Sequence, residues 1–143
     1  MIYYKFFYNK KMHKSIVCGY NHSLALLEDG TIECWGNNEY NQCDSFYKSS
    51  TPIISIACGE NHSVALRDNG TIECWGDNVF DQCDPVYRTF TNICKIACGE
   101  NHSVALKYDG TIECWKNNEQ NQCNPVYKSF TNIKIPNDDY ILK

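Results

Sequence analysis

Short runs of apolar residues, separated by glycines and polar turns, recur along the whole chain. Residues 53–58, 62–67 and 71–75 are three such runs, and the first of them is rich in β-branched residues. The turn signal Asp68-Asn69-Gly70 separates the second run from the third, because glycine takes a positive φ without steric cost. A weaker fourth run covers residues 86–91. No segment keeps the spacing of an amphipathic helix, so the pattern predicts short β-strands.

The same pattern returns with a period of 40 residues. Residues 17–56, 57–96 and 97–136 align without a gap, and the last two units are identical at 26 of 40 positions. Tandem units of three or four short strands are typical of propeller blades. We therefore predict an all-β fold of three blade-like antiparallel sheets that form an incomplete propeller or open arc. Residues 1–16 are interpreted as an N-terminal cap or flexible segment, and residues 137–143 as a C-terminal tail.

The repeated string CGxNHSxALxxxGTIECWGxN resembles the repeat of the regulator of chromosome condensation family. The matching residues of the middle unit are Cys58, Gly59, His62, Ser63, Ala65, Leu66, Gly70, Trp75, Gly76, Asn78 and Gln82. The resemblance covers residues 15–136 and implies the blades of a β-propeller that serves as an interaction platform. It also implies a possible role as an exchange factor for a small GTPase, as in some members of the family. Full propellers of the family are similar to seven-bladed discs, so three units imply an incomplete one.

The sequence departs from the family pattern at the end of each unit. A glycine of the family's closing step is replaced by Asn41, Asp81 and Asn121. Asparagine and aspartate tolerate the left-handed region better than other residues with a side chain, so we expect the turn to survive. In the third unit Lys116 stands where the first two units have a glycine after tryptophan.

Charge and hydropathy exclude two classes of partner. The formal net charge is −4, and a nucleic-acid surface generally needs clustered Lys and Arg, so we expect no nucleic-acid partner. No apolar stretch approaches the roughly 20 residues of a membrane span, so we expect no membrane partner. The first residues lack the long apolar stretch of a signal peptide. We therefore expect a cytoplasmic protein with mostly reduced thiols.

Ten cysteines are the most unusual feature of the composition. Each unit carries a Cys3His set, represented by Cys58, His62, Cys74 and Cys83, which is a chemically valid zinc set with unusual spacing. A structural zinc-binding repeat protein is therefore one alternative. We favour cysteines that pack as small apolar residues, and predict no metal and no cofactor. The cysteines predicted to be buried free thiols are Cys18, Cys34, Cys58, Cys74, Cys98 and Cys114.

The histidines and tryptophans also recur once per unit. His62 and Ser63 are adjacent on a strand and point to opposite faces, so they cannot form a catalytic dyad with each other. The sequence predicts histidines that bond to a neighbouring strand or loop backbone, and it predicts no catalytic residue and no enzyme. Trp35, Trp75 and Trp115 are expected to pack between neighbouring sheets, because each offers a large apolar area.

We predict a non-catalytic repeat scaffold that mediates protein–protein interaction. Regulation of a small GTPase is a further alternative. Variable positions on a constant frame are typical of a recognition surface, and they lie in the loops of the three units. The candidate partner-binding residues are Tyr20, Glu39, Tyr40, Glu60, Val79, Phe80, Glu100, Glu119 and Gln120. Three units leave sheet edges and blade faces exposed, so we also expect self-association, most simply as a dimer.

Overall fold

The computed structural model describes residues 12–44, 51–83, 91–116, 121 and 123. These residues form nine strands in three separate antiparallel sheets, one for each repeat. The strands are β1 His13–Cys18, β2 His22–Leu27, β3 Ile32–Gly36, β4 Ile53–Cys58, β5 His62–Arg67, β6 Ile72–Gly76, β7 Ile93–Cys98, β8 His102–Lys107 and β9 Ile112–Lys116. The prediction of three blade-like antiparallel sheets is therefore confirmed. The predicted fourth run, residues 86–91, falls almost wholly outside the described residues.

All three sheets share one pairing register. In the middle sheet His62 pairs with Gly76 and Leu66 pairs with Ile72, and the equivalent pairs occur 40 positions on either side. The β5–β6 turn closes at Gly70, whose φ is 77°. The left-handed turns expected at Asn41, Asp81 and Asn121 are also present, with φ values of 60°, 58° and 58°. The family's glycine can therefore be lost there without loss of the turn.

The hydrophobic core lies at the junctions between successive sheets. At the first junction Leu24 and Leu26 of β2 pack against Ile56 of β4 and Ala65 of β5. At the second junction Leu66 of β5 packs with Ile93, Ala105 and Trp115. A single three-stranded sheet cannot bury both of its faces, so each repeat depends on its neighbours for burial.

The tryptophans follow this arrangement in two of the three repeats. Trp75 packs against the first junction and Trp115 belongs to the second, where it is 6% exposed. Trp35 is 50% exposed, because the described residues contain no repeat before the first one. The prediction that all three pack between sheets is therefore wrong for Trp35.

The described residues contain no helix that is long and apolar enough to cross a membrane.

Candidate functional site

The turns between the first and second strands of the three sheets stack on one another. The backbone N–H of Tyr20 donates to the carbonyl oxygen of Glu60 at 3.1 Å, and the N–H of Glu60 donates to the carbonyl of Glu100 at 3.0 Å. The first and second turns thus each donate one backbone hydrogen bond to the turn of the next repeat. This ladder aligns equivalent residues of the three repeats along one line.

A cavity of about 540 Å³ opens along this ladder. Three equivalent residues from each repeat line it, namely Cys18, Gly19, Tyr20, Cys58, Gly59, Glu60, Cys98, Gly99 and Glu100. The variable third position of each turn supplies a phenol or a carboxylate, whereas the cysteine and glycine positions are constant. The chemical character of the cavity mouth is therefore set by Tyr20, Glu60 and Glu100.

Histidine–serine pairs connect each repeat to the next beneath the ladder. His22 Nε2 lies 3.0 Å from Ser63 Oγ, and His62 Nε2 lies 2.8 Å from Ser103 Oγ. The expected backbone partner of the histidines is therefore corrected: the partner is a side chain of the next repeat. The sequence pattern does not indicate these pairs, because the histidine and the serine of each pair are 41 residues apart and lie in different repeats.

The direction of the hydrogen bonds argues against a general-base role for His22. Ser63 Oγ donates to the carbonyl oxygen of Gln42 at 2.9 Å, so its proton does not point at His22. The imidazole of His22 must then donate from Nε2 to the serine. A histidine that carries its proton on Nε2 cannot accept the proton of that serine. Ser63, Ser103 and His62 are also fully buried, so no substrate reaches them.

Burial controls the protonation of these histidines. Burial lowers the pKa of His22, and burial followed by the charge of His22 lowers the pKa of His62 to about 4. Asp77 opposes this shift without reversing it. Both imidazoles are therefore neutral at pH 7 in the folded protein.

We predict that acid weakens the fold through His62. Above pH 6.5 the imidazole is neutral in the folded and unfolded states, so its contribution is constant. As the pH falls from 6.5 towards 4, the unfolded state takes up a proton and the folded state does not. The free energy of unfolding should fall by about 3 kcal/mol across that window. Urea unfolding at several pH values measures it.

The control for this prediction is the His62→Gln variant. We expect this variant to have a lower free energy of unfolding at neutral pH. That free energy should also fall less than in the wild type between pH 6.5 and 4, because the contribution of His62 is missing. An equally steep dependence in the variant would show that other groups, such as His22, carry the effect.

Two of the thiols that line the cavity, Cys58 and Cys98, are poor nucleophiles. Burial, assisted by the neighbouring Cys98 and Cys18, raises the pKa of Cys58 to about 12, and burial raises the pKa of Cys98 to about 12. Because the thiolate is the reactive form, these groups are inert at neutral pH. Cys18 is free as predicted, but it is exposed and Cys58 and Cys98 are only half-buried.

Two cysteines predicted to be free thiols form disulfides instead. Cys34 is bonded to Cys43 and Cys114 to Cys123, each with a Cα–Cα distance of 5.2 Å. The third strand and the following turn bring these cysteines together although nine residues separate them. The prediction of free thiols rested on packing as small apolar residues and on a reducing cytoplasm. Neither argument indicates that these cysteines are close to each other in space. The disulfides also occupy two of the four ligands of the zinc set in the first and third repeats.

Among the described residues no group of three or more His, Cys, Asp or Glu side chains is arranged to hold a metal ion. The zinc alternative therefore has no support from this arrangement.

We predict that Cys74 and Cys83 of the middle repeat form the equivalent disulfide. Both are free thiols and lie nine positions apart, as in the two bonded pairs. Burial, followed by a side-chain hydrogen bond with Cys83, raises the pKa of Cys74. With glutathione disulfide as the oxidant, the two thiols lose two protons and two electrons to it. Alkylation and mass spectrometry should then find four free thiols of the original six.

The Cys83→Ser variant is the control. It should retain five alkylatable thiols before and after treatment, because Cys74 has lost its partner. Six free thiols after complete treatment of the native, folded protein would refute the pairing.

The predicted partner-binding residues fall into two groups at one end of the sheets. Tyr20, Glu60 and Glu100 lie at the cavity. The loops after β3 and β6 start at the same end, since the N–H of Asn37 donates to the carbonyl of Asn21 at 2.7 Å and the N–H of Asp77 donates to the carbonyl of Asn61 at 2.9 Å. Four of the predicted residues lie in these loops and are exposed, namely Glu39, Tyr40, Val79 and Phe80. Glu119 and Gln120 lie outside the described residues.

The chain belongs to the regulator of chromosome condensation (RCC1) repeat family. The family model matches three times, at residues 14–42, 53–82 and 93–122, which is more than half of the chain. The resemblance drawn from the repeated string is thereby confirmed. No curated protein is significantly similar to the chain in sequence.

Three solved structures illustrate the fold. Human WBSCR16 superposes with a TM-score of 0.69 at 23% identity, over 82% of this chain and 37% of that one. Prp20p from Saccharomyces cerevisiae gives 0.66 at 24% identity, over 76% and 32%. The ectodomain of the Physcomitrella patens receptor kinase CR4 gives 0.62 at 22% identity, over 75% and 31%. The chain thus spans about a third of the length of these structures, and the likeness shows the fold alone.

Proposed function

We propose that the chain is a non-catalytic module that binds a protein partner at the end of the sheets where the cavity opens. The observation that carries the proposal is the exposure of large apolar side chains at that end. Tyr20 and Val79 are each 75% exposed, and Tyr40 and Phe80 accompany them. Aromatic residues are enriched at protein interfaces and often supply most of the binding energy.

The charges at the cavity favour a partner of a particular kind. Glu60 is half-buried and Glu100 exposed at the mouth, and the lining contains no Lys or Arg. A carboxylate that is partly removed from water gains most from a cationic group that approaches it. The preferred partner surface therefore presents Lys or Arg to the cavity and an apolar patch to the loops.

The constant frame beneath these residues supports a recognition role. The backbone ladder and the buried histidine–serine pairs fix the turns, whereas the variable position is Tyr20 in the first turn and a glutamate in the other two. Rigid support lowers the entropy lost on binding.

The test is affinity capture from a native lysate, followed by a binding titration with each captured protein. The double variant Tyr20→Ala/Phe80→Ala should weaken the binding at least about tenfold. The matched control is Tyr108→Ala, because Tyr108 is 66% exposed in the β8–β9 turn at the opposite end of its sheet. Proteins that bind both variants as well as they bind the wild type would contradict the proposed surface.

Regulation of a small GTPase is a second candidate. It is favoured by the likeness to Prp20p, a protein studied for its binding to Gsp1p and histones. Release of a fluorescent nucleotide from small GTPases tests this candidate directly. Release that is no faster with the chain than without it would remove it, and would leave the binding module unaffected.

A further inference from the structure

The first sheet has a face that no described repeat covers. This face, here called the leading face, comprises Ile16, the Tyr20 carbonyl, Ser23 and Trp35. Ile16 is 63% exposed, whereas its equivalent Ile56 is 6% exposed at the first junction. Ser23 is half-buried, and its equivalents Ser63 and Ser103 are fully buried beneath a histidine of the preceding repeat. The leading face is thus a junction surface without the preceding repeat.

The third sheet has the complementary face. This face, here called the trailing face, comprises the Glu100 N–H, His102, Val104, Leu106 and Ile112. Leu106 is half-buried, whereas its equivalents Leu26 and Leu66 are fully buried at the internal junctions. Ile112 is 40% exposed, whereas its equivalents Ile32 and Ile72 are half-buried. His102 is half-buried, and the described residues contain no fourth repeat to supply it with a serine.

We propose that the trailing face binds the leading face of a second copy of this chain. The imidazole of His102 would meet Ser23 of the second copy as His22 meets Ser63 within one chain. The N–H of Glu100 would donate to the Tyr20 carbonyl and continue the backbone ladder. Ile16 and Trp35 of the second copy would cover Leu106 and Ile112, as Ile56 and Trp75 pack with the equivalent Leu26 and Ile32 at the first junction.

The repeats themselves identify a second copy as the occupant. The same junction is already built twice within each chain, and each end face carries the residues that form the corresponding side of those internal junctions, in the same register. The contact is heterologous, because the two faces differ, and such a contact closes into a ring when the rotation permits. Two copies of three repeats give six, within the roughly four to eight blades of known propellers.

The inference goes beyond the proposed function: it uses the backbone carbonyl of Tyr20 and the backbone N–H of Glu100, whereas the proposed partner binds side chains at the cavity and in the loops after the third strands. It also completes the cavity, because a ring would line it with turns from both copies.

Light scattering after size exclusion, at micromolar concentration, tests the inference with the full chain. The wild type should have twice the mass of one 16.5 kDa chain. Ile16→Glu and Ile112→Glu should each raise the dissociation constant at least about tenfold, because each buries a carboxylate in the junction. Val79→Glu is the control, since Val79 is 75% exposed outside both faces. Trp35→Lys is a second variant of the leading face.

Mixing the two variants gives the distinguishing result. The Ile16→Glu variant retains an intact trailing face, and the Ile112→Glu variant retains an intact leading face. A one-to-one mixture should therefore recover a dimer that neither variant forms alone. A contact of one face with itself would let one of the single variants dimerise normally, and that result would overturn the proposal. A wild-type monomer would overturn it as well. All variants carry Cys18→Ser, so that no dimer arises from an exposed thiol.

Discussion

Replacement of Gly59 by alanine is expected to destabilise the fold by about 3–5 kcal/mol. A Cβ at this position would lie 1.9 Å from Cε1 of His62 and 2.8 Å from the carbonyl oxygen of Gly99. The imidazole cannot move aside freely, because it is fully buried and its Nε2 is bonded to Ser103. The extra methyl group therefore overpacks the junction and breaks a buried hydrogen bond at the same time.

Chemical unfolding in urea measures this loss. The control is Gly30→Ala, where φ is +79° but the nearest atoms lie 3.2 Å or more from the added Cβ. That change should cost about 1–2 kcal/mol, the ordinary penalty of the left-handed region.

A double-mutant cycle isolates the clash with the imidazole. Gly59→Ala should cost much less in a His62→Ala background than in the wild type, because the obstructing ring is gone. Equal costs in the two backgrounds would mean that the Gly99 carbonyl, and not His62, makes the position intolerant of a side chain.

The strands could be predicted from the sequence almost residue by residue. The runs at 53–58 and 62–67 coincide with β4 and β5, and the run at 71–75 differs from β6 by one residue at each end. The alternation of side chains and the turn glycines are features of each segment by itself. The strands can therefore be predicted without knowing how the neighbouring repeats pack. The left-handed turns at Asn41 and Asp81 were predictable for the same reason.

The contacts between repeats could not be predicted in this way. The partner of His62 is Ser103, and nothing local to either residue indicates the other. The disulfide between Cys34 and Cys43 depends on how the turn folds back on its strand. A repeat period predicts that equivalent residues have equivalent surroundings, but it does not predict what those surroundings are.

The place of a repeat within the array also determines what surrounds its residues. The sequence treats Trp35 and Trp75 as equivalents, yet one is half exposed and the other packs at a junction. Trp115 lies in the last repeat, yet it is buried in the second junction, so we expect Trp75→Ala and Trp115→Ala to have similar costs.

Trp75→Ala is therefore expected to lower the free energy of unfolding by about 3–5 kcal/mol, the usual range for a large aromatic residue in a core. Its ring packs against the first junction, and its Nε1–H donates to the Gln42 carbonyl at 2.9 Å. The same carbonyl accepts a hydrogen bond from Ser63 Oγ, which also contacts His22. Truncation of Trp75 therefore loosens the junction around this buried histidine–serine pair.

Trp35→Ala is the matched control for this prediction, because the same residue type occupies the same register position without a preceding repeat. Its expected cost is below about 1 kcal/mol, as for a surface substitution. Both variants are measured in the Ile16→Glu background, so that docking of a second copy on the leading face does not stabilise Trp35. Equal losses for the two tryptophans in that background would show that burial at the junction is not what makes Trp75 important, and that the ring acts within its own sheet.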